Sequence, residues 1–344
     1  MYHYESEPLR VWMNDELKKR LITSEAANCV IDSLVETSLR GVDSHGVNLF
    51  PHYCRAVDAG RINVNPTFSF EQKAASCAIL DADSGFGHHA GSRAIELACD
   101  LAEKSGVGFV GVKNSSHFGA AAYFAQQAAR LGYIGFAFTN ADALVKAHNG
   151  QEAFFGTNPI CFAAPLIDEQ PLCLDMATSH VAWNKVKNYR WAGTPLEEGW
   201  AFNADGVAVR DAQNAVSLAP TGGYKGFGLG LMVEVLCSLL IGEPLGKDLA
   251  PMYQDISKSR KISHCFIVIS IEKLTSLHNF KIALADMVFR IRSIPSIAGQ
   301  LVMAPGDPEK NCYKTRVASG IPVIEYVHDE FLGLNSSIKS VLKG

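Results

Sequence analysis

Apolar positions at Ala26, Val30, Leu34 and Leu39 recur at helical spacing behind the start signal Thr23-Ser24-Glu25. Arg40-Gly41 closes this run, Val42-Asp43-Ser44-His45-Gly46 makes a turn, and a second helical run covers 50–57. These runs predict a small helical N-terminal part. The pattern then switches to alternation: 77–80 reads as a strand, 90–103 as a helix, 107–112 as a strand, 120–131 as a helix and 133–139 as a strand. Further strands are expected at 160–164, 172–174 and 266–271, and further helices at 225–240 and 279–291. Strands alternating with helices of this length predict an α/β layer in which helices cover a sheet.

One motif inside that layer misleads. Gly106-Val107-Gly108-Phe109-Val110-Gly111 matches G-x-G-x-x-G letter by letter. The dinucleotide fingerprint needs a strand before it and a helix opening from it. Here the helix comes first and the glycines fall inside the strand itself, where glycine marks close packing more often than phosphate contact. A standard Rossmann site is not expected.

Composition narrows the class. The 344 residues suffice for about two domains, and 48% hydrophobic with 19% charged residues is the profile of a compact soluble protein. A net charge of -4 draws the molecule toward neither nucleic acid nor an anionic membrane, and neither is expected as a partner. The N-terminus reads as lacking a targeting signal, and the longest apolar stretch, 228–242, is broken by Glu234 and too short to span a bilayer. Nine cysteines are scattered without a C-x-x-C pair, which predicts reduced thiols in a cytoplasm and no zinc site. His88-His89 is not expected to hold a metal, because adjacent side chains point apart.

The candidate chemistry collects at strand and helix ends. Ser116-His117 lies between the strand at 107–112 and the helix at 120–131, and Ser44-His45 follows the first long helix. A histidine at such a junction titrates near working pH and faces free backbone N–H groups. Thr139-Asn140-Ala141-Asp142, Gly156-Thr157-Asn158-Pro159, Asp175-Met176-Ala177-Thr178-Ser179 and Gly222-Gly223-Tyr224-Lys225-Gly226 are further polar clusters at element ends, where α/β layers gather their sites. A hydrolase is an alternative, with Ser44 or Ser116 as nucleophile, His45 or His117 as base and Asp43 or Asp175 as orienter. It lacks G-x-S-x-G, and a serine directly before its own histidine is poorly placed for activation by it.

With these residues the chain resembles the malate/L-lactate dehydrogenase family of the non-Rossmann type, whose members include ureidoglycolate dehydrogenase, sulfolactate dehydrogenase, 2,3-diketogulonate reductase and Δ1-piperideine-2-carboxylate reductase. The stretches that carry the resemblance are 39–47, 116–119, 155–159, 174–179 and 222–228, in family order, with 306–310 near the end. It implies a homodimeric oxidoreductase that uses NAD or NADP on a 2-hydroxy or 2-oxo acid. The implied fold is α/β, with a non-Rossmann cofactor domain whose mixed sheet is covered by helices, plus a mostly helical second domain. In this chain the parts would be 1–72, helical and belonging to the substrate and dimer domain; 73–220, binding the cofactor; and 221–344, helix-rich and packing back on both. The resemblance implies His117 as acid/base with His45 and Ser44 beside it, and Asn48 and Arg260 for substrate. Asn140, Ala141, Asp175, Met176, Ala177, Lys225 and Gly226 match cofactor-contacting positions. One position departs from the pattern: Leu49 stands where the family has an arginine that clamps the substrate carboxylate. This leaves Arg260 to hold the carboxylate alone, puts simple malate or lactate in doubt, and keeps an inactive, ligand-binding relative as a third reading. On this reading Leu49→Arg should improve the use of simple 2-oxo acids.

Overall fold

A computed structural model describes residues 1–343. Ten helices are present: α1 (Ser6–Lys19), α2 (Ser24–Leu39), α3 (Phe50–Asp58), α4 (Gly87–Ser105), α5 (Ala121–Arg130), α6 (Trp183–Ala192), α7 (Tyr224–Glu234), α8 (Leu277–Arg292), α9 (Asp307–Ser319) and α10 (Glu325–Leu334) among the described residues. Strand β1 (Tyr2–Tyr4) pairs with β14 (Ile321–Val323), which ties the two ends of the chain together. The main sheet has seven strands in the order β2 (Ser69–Ala74), β3 (Cys77–Asp81), β4 (Val107–Ser115), β13 (Ile262–Ser270), β5 (Tyr133–Thr139), β8 (Ile160–Ala164) and β9 (Leu172–Met176). Only β3 and β4 run parallel and every other pair is antiparallel, so the sheet is mixed. A small second sheet joins β11 (Ala208–Val209), β10 (Ala201–Phe202), β12 (Ser217–Leu218), β6 (Val145–Lys146) and β7 (Ala153–Phe155).

The sheet's first face is covered by α4 and α5 through rows of alanine, Ala90-Ala94-Ala98-Ala102 and Ala121-Ala125-Ala128, with Phe124 between them. Small side chains bring helix and sheet backbones close, and this explains the glycines in the strands. A Cβ on Gly108 would lie 2.0 Å from the Ala98 carbonyl oxygen, and one on Gly135 would lie 2.6 Å from that of Ala125. The false dinucleotide motif is therefore a packing seam, with Gly106 at a φ of 83° capping α4. On the other face Val233 and Cys237 pack against Phe138 and Cys265, while Phe109, Phe136, Ile160 and Ile267 are only partly covered. A separate helical core joins α1, α2 and α3 to α10, with Trp12, Phe50 and Phe331 in contact.

Most expected elements form within a few residues of their expected ends. The run expected as one helix at 225–240 is α-helical only to Glu234 and widens to a π-type turn at 235–239, with the Leu240 N–H bonding Val235 O at 2.9 Å. Four helices, α1, α6, α9 and α10, were not expected from the pattern. In α1 the buried row Leu9-Trp12-Met13-Glu16-Leu17 has helical period but contains a glutamate. Glu16 is buried because Lys19, Arg20 and Asn335 all bond its carboxylate.

Gly108→Ala is expected to lower stability by at least about 2 kcal/mol, because backbone has to shift to admit the methyl group. A urea unfolding curve whose midpoint is unmoved would show that α4 does not rest on this seam.

Candidate active site

Strand β4 ends at Ser115, and the chain turns through Ser116 and His117 before α5 begins at Ala121. Ser116 shapes the turn: its hydroxyl donates to Gly85 O at 3.0 Å and accepts from Gly87 N at 2.9 Å. His117 is thereby presented next to His45, with ring centroids 5.7 Å apart. The Tyr53 hydroxyl lies 2.6 Å from His117 Nδ1, and a hydroxyl both donates and accepts, so it serves that nitrogen in either protonation state. The Ser44 hydroxyl lies 2.9 Å from His45 Nδ1. Burial first, then the charges of His45 and Arg260, hold His117 well below the usual histidine range, and burial lowers His45 to about 4. Burial also pushes the Tyr53 phenol well above its usual value.

Two polar clamps sit behind this pair. His264 on β13 bonds Ser115 Oγ through Nε2 at 2.9 Å and Thr139 Oγ1 through Nδ1 at 2.7 Å, with its ring stacked on Phe118 at 4.5 Å. It ties the ends of β4 and β5 together across β13. The second clamp is centred on Glu234, buried in α7. Its carboxylate accepts from Asn158 Nδ2 at 2.6 Å, Gly246 N at 2.6 Å and Ser238 Oγ at 3.1 Å, and burial raises it. Asn140 joins this network, donating to Ser238 Oγ at 2.9 Å and accepting from Ser263 N at 2.9 Å. Its side chain is spent inside the protein, so of the expected Asn140-Ala141 contact only Ala141 reaches a cleft. Asn158 takes a left-handed φ of 33°, and these bonds hold it there beside Thr157.

Two clefts meet at His45, Thr157 and Ala182. One, of about 530 Å³, runs past Gly119 to Ala122, Asp175, Ala177 and the Met303–Gly306 segment. The N-terminus of α5 opens onto it; its N-cap residue Ala120 makes no side-chain bond, and Asp175 caps it from β9 by accepting from Ala122 N at 2.9 Å. Asp175 is open to this cleft, yet its walls desolvate the carboxyl and raise it to about 6. The other cleft, of about 560 Å³, holds His45, His117, Ala141, Asp142, Asn184, Lys187, Tyr253 and Arg260. Arg260 is buried; it pairs with Asp142 and donates from Nε to Ala250 O at 2.9 Å, and its Nη1 makes no hydrogen bond among the described residues.

Not every expected residue comes to these clefts. Ser44, His45, His117, Ala141, Asp175, Ala177 and Arg260 do. Met176 alternates to the opposite side of β9, and Lys225 and Gly226 start α7 outside both clefts, Lys225 exposed and Gly226 buried. Asn48 lines neither cleft, and its Oδ1 is buried without a partner. Leu49 lies in the helical core and also lines neither cleft, which removes the reason to expect that Leu49→Arg improves substrate use. Tyr53, Asn184, Lys187 and Tyr253 were not singled out from the sequence, since nothing in their spacing ties them to His117.

The family model for malate/L-lactate dehydrogenase matches residues 4–331. The chain belongs to that family. Malate dehydrogenase of Pyrococcus abyssi is 38% identical over 319 residues, covering 89% of this chain and 86% of the relative. Ureidoglycolate dehydrogenase (NAD(+)) of Escherichia coli K12 is 32% identical over 323 residues, covering 94% of this chain and 93% of the relative. The crystal structure of malate dehydrogenase from Entamoeba histolytica superposes with a TM-score of 0.92 at 28% identity and covers 98% of both chains. The family's mixed α/β fold is the one expected from the resemblance. The hydrolase alternative finds no support here: the Asp43 carboxylate is taken by the Arg316 guanidinium, at 2.5 and 2.9 Å, and orients no histidine.

Burial lowers His52, His88 and His264 to about 3 each, so all three are neutral in the folded protein. The unfolded chain takes up their protons near pH 6.5, so their contribution to stability is complete above that pH and is lost as pH falls toward 3. Each group costs about 1.4 kcal/mol per pH unit in that window, roughly 4 kcal/mol for the three. Calorimetric melting from pH 7 to 5 is expected to show a steep fall in Tm; a flat profile would mean that these rings are protonated in the fold.

Proposed function

We propose that this protein is a dehydrogenase or reductase that uses NAD or NADP to interconvert a 2-hydroxy acid and a 2-oxo acid. The observation that carries the reading is the His117 ring, held at Nδ1 by Tyr53 and opening beside His45 onto a cleft that also contains Arg260. Family membership supports it, as do the relatives whose names are malate and ureidoglycolate dehydrogenase.

The residues fit a dinucleotide. A long cleft that includes Gly119 and the alanines 120–122 and 177, and the Asp175 carboxylate, which caps α5 with Oδ2 and leaves Oδ1 for hydroxyl or amide groups, would hold it. Hydride donation and acceptance belong to the nicotinamide when it is bound. The protein handles the proton: His117 gives one to the substrate oxygen in reduction and removes it in oxidation, while Tyr53 holds the ring in place. Arg260 Nη1 suits the substrate carboxylate, and His45 with Ser44 suits the oxygen on which charge develops.

We also infer a homodimer in the cytoplasm. Leu229, Leu231, Met232, Leu239 and Leu240 are exposed along α7 and the turn after it, beside a sheet face that is only partly covered. All nine cysteines are free, which suits a reducing compartment, and no helix is long and apolar enough to cross a membrane among the described residues. Sedimentation equilibrium is expected to give twice the 37.2 kDa chain mass, and a monomer at micromolar concentration would overturn the dimer.

The test of the activity is oxidation of NADH and NADPH in the presence of 2-oxo acids. His117→Asn is expected to lower kcat by about 100-fold or more while fluorescence titration still shows dinucleotide binding. Retained turnover would remove His117 from the proton transfer.

A further inference from the structure

Residues 249–261 lead into β13 through turns, and Pro251, Met252, Tyr253 and Gln254 among them form part of the wall of the His117 cleft. One buried side chain holds this loop from behind. Arg61 Nη1 donates to Met252 O at 2.7 Å, and its Nη2 reaches Gln254 O at 2.8 Å, Asp255 O at 2.9 Å and Pro251 O at 3.3 Å. Arg61 is 2% exposed and makes no ion pair among the described residues; the nearby Asp142 carboxylate is taken by Arg260. Burying a guanidinium is costly, and here the backbone carbonyls of one loop stand in for a carboxylate. The path of the loop therefore follows the guanidinium: four of its carbonyls turn inward to one side chain, while Tyr253 and Gln254 stay exposed toward the cleft.

Arg61 is itself fixed by the end of α3. Gly60 takes a left-handed φ of 79°, its N–H donates to Val57 O at 2.9 Å, and Arg61 N donates to Ala56 O at 2.9 Å, which closes the helix in a Schellman turn. The same helix carries Tyr53, whose hydroxyl lies 2.6 Å from His117 Nδ1, and His52, whose ring meets that of Tyr253 at 5.2 Å. Tyr253 in turn donates to Asn184 Oδ1 at 3.0 Å, and its ring supports Lys187 Nζ at 3.6 Å from the ring centre. One short helix thus sets both the acid/base candidate and a wall of its cleft. We infer that Arg61 is a positioning residue for the substrate: through these four carbonyls it holds the 251–255 loop, and with it the Tyr253 ring, in the place that shapes the cleft beside His117. Arg61 lines neither cleft, so it acts on the substrate only through the loop. The assignment rests on the oxidoreductase reading given above and adds a residue remote from the reacting atoms.

The experiment measures kcat and KM for pyruvate and oxaloacetate with NADH and NADPH, dinucleotide affinity by fluorescence, and amide hydrogen exchange resolved by peptide. The proteins are the wild type, Arg61→Gln, Arg61→Lys, Tyr253→Phe and the double variant of Arg61→Gln with Tyr253→Phe. Arg61→Gln is expected to raise KM for the acid by about 10-fold or more, while kcat and dinucleotide affinity change by less than about threefold. Exchange is expected to speed up in 249–258 and to stay unchanged in β4. Arg61→Lys keeps the charge but cannot reach four carbonyls with one ammonium, so it is expected to recover KM only in part. Because both residues act through one wall, the KM changes of the two single variants are expected to combine to less than their product. An unchanged KM, faster exchange spread evenly over the chain, or full recovery by Arg61→Lys would overturn the assignment and leave the oxidoreductase reading intact. If Arg61→Gln does not fold, Arg61→Lys and its exchange in 249–258 decide the question. No turnover of either acid by the wild type would overturn the oxidoreductase reading, and the exchange data would still show whether Arg61 holds the loop.

Discussion

Everything at the candidate site depends on how the ends of β4 and β5 are held. The two strands are not neighbours; β13 runs between them, and His264 on β13 reaches both. Through Ser115 it fixes the residue two positions before His117, and through Thr139 it fixes the residue two positions before Ala141. A neutral histidine is suited to this because its two nitrogens present one donor and one acceptor to two hydroxyls that adapt to either. Burial keeps it neutral, and stacking on Phe118 keeps it in plane. The acid/base candidate stands on a strand end that is braced sideways, not on a free loop.

The Glu234 network extends that brace. A carboxylate buried in a helix is costly unless its oxygens are filled, and here three donors fill them, Asn158 and Gly246 from two other segments and Ser238 from the next turn of the same helix. The Asn158 and Gly246 segments carry Thr157 and Gly246, and Asn140, which donates to Ser238, carries Ala141 beside it; all three line a cleft. The chain therefore positions its loops from inside, by polar contacts that exclude water, and leaves the outward faces of the same loops for ligand. Asn140 shows the division clearly: its side chain faces inward to Ser238 and Ser263, and its neighbour Ala141 faces out.

Elements whose apolar positions follow one period were legible in the sequence. Strands β5 and β8 and helices α2, α4 and α5 formed where the pattern put them, and the glycines of 106–111 packed as the strand reading required. Illegible were elements whose periodicity is broken by a satisfied charge, such as α1 with Glu16, and small strands of two or three residues whose pairing is non-local. For the site, the histidine clusters were visible because they interrupt apolar ground. Tyr53 and Asn184 were invisible because their partners lie 64 and 140 residues away. Leu49 was misleading for a related reason: a position defined by its distance from His45 need not face the way His45 faces, and here it turns into the helical core.

The electrostatics of the site give that geometry a direction. His117 is driven low by burial and, next, by cationic neighbours that include Arg260. An anion seated on Arg260 cancels part of that push, so the imidazole takes up a proton more readily when the cleft holds an acid than when it is empty. On the proposed roles of His117 and Arg260, proton supply and substrate binding are linked through one guanidinium, in a cleft where Asp142 alone offsets the positive charge. The same logic governs Lys187. Burial already lowers it, and its charge in turn helps to depress His52, so the cations and histidines of the cleft hold one another's protonation down. Two cations in one cleft, one tied to a carboxylate and one resting on a ring, therefore shape the field that its histidines feel.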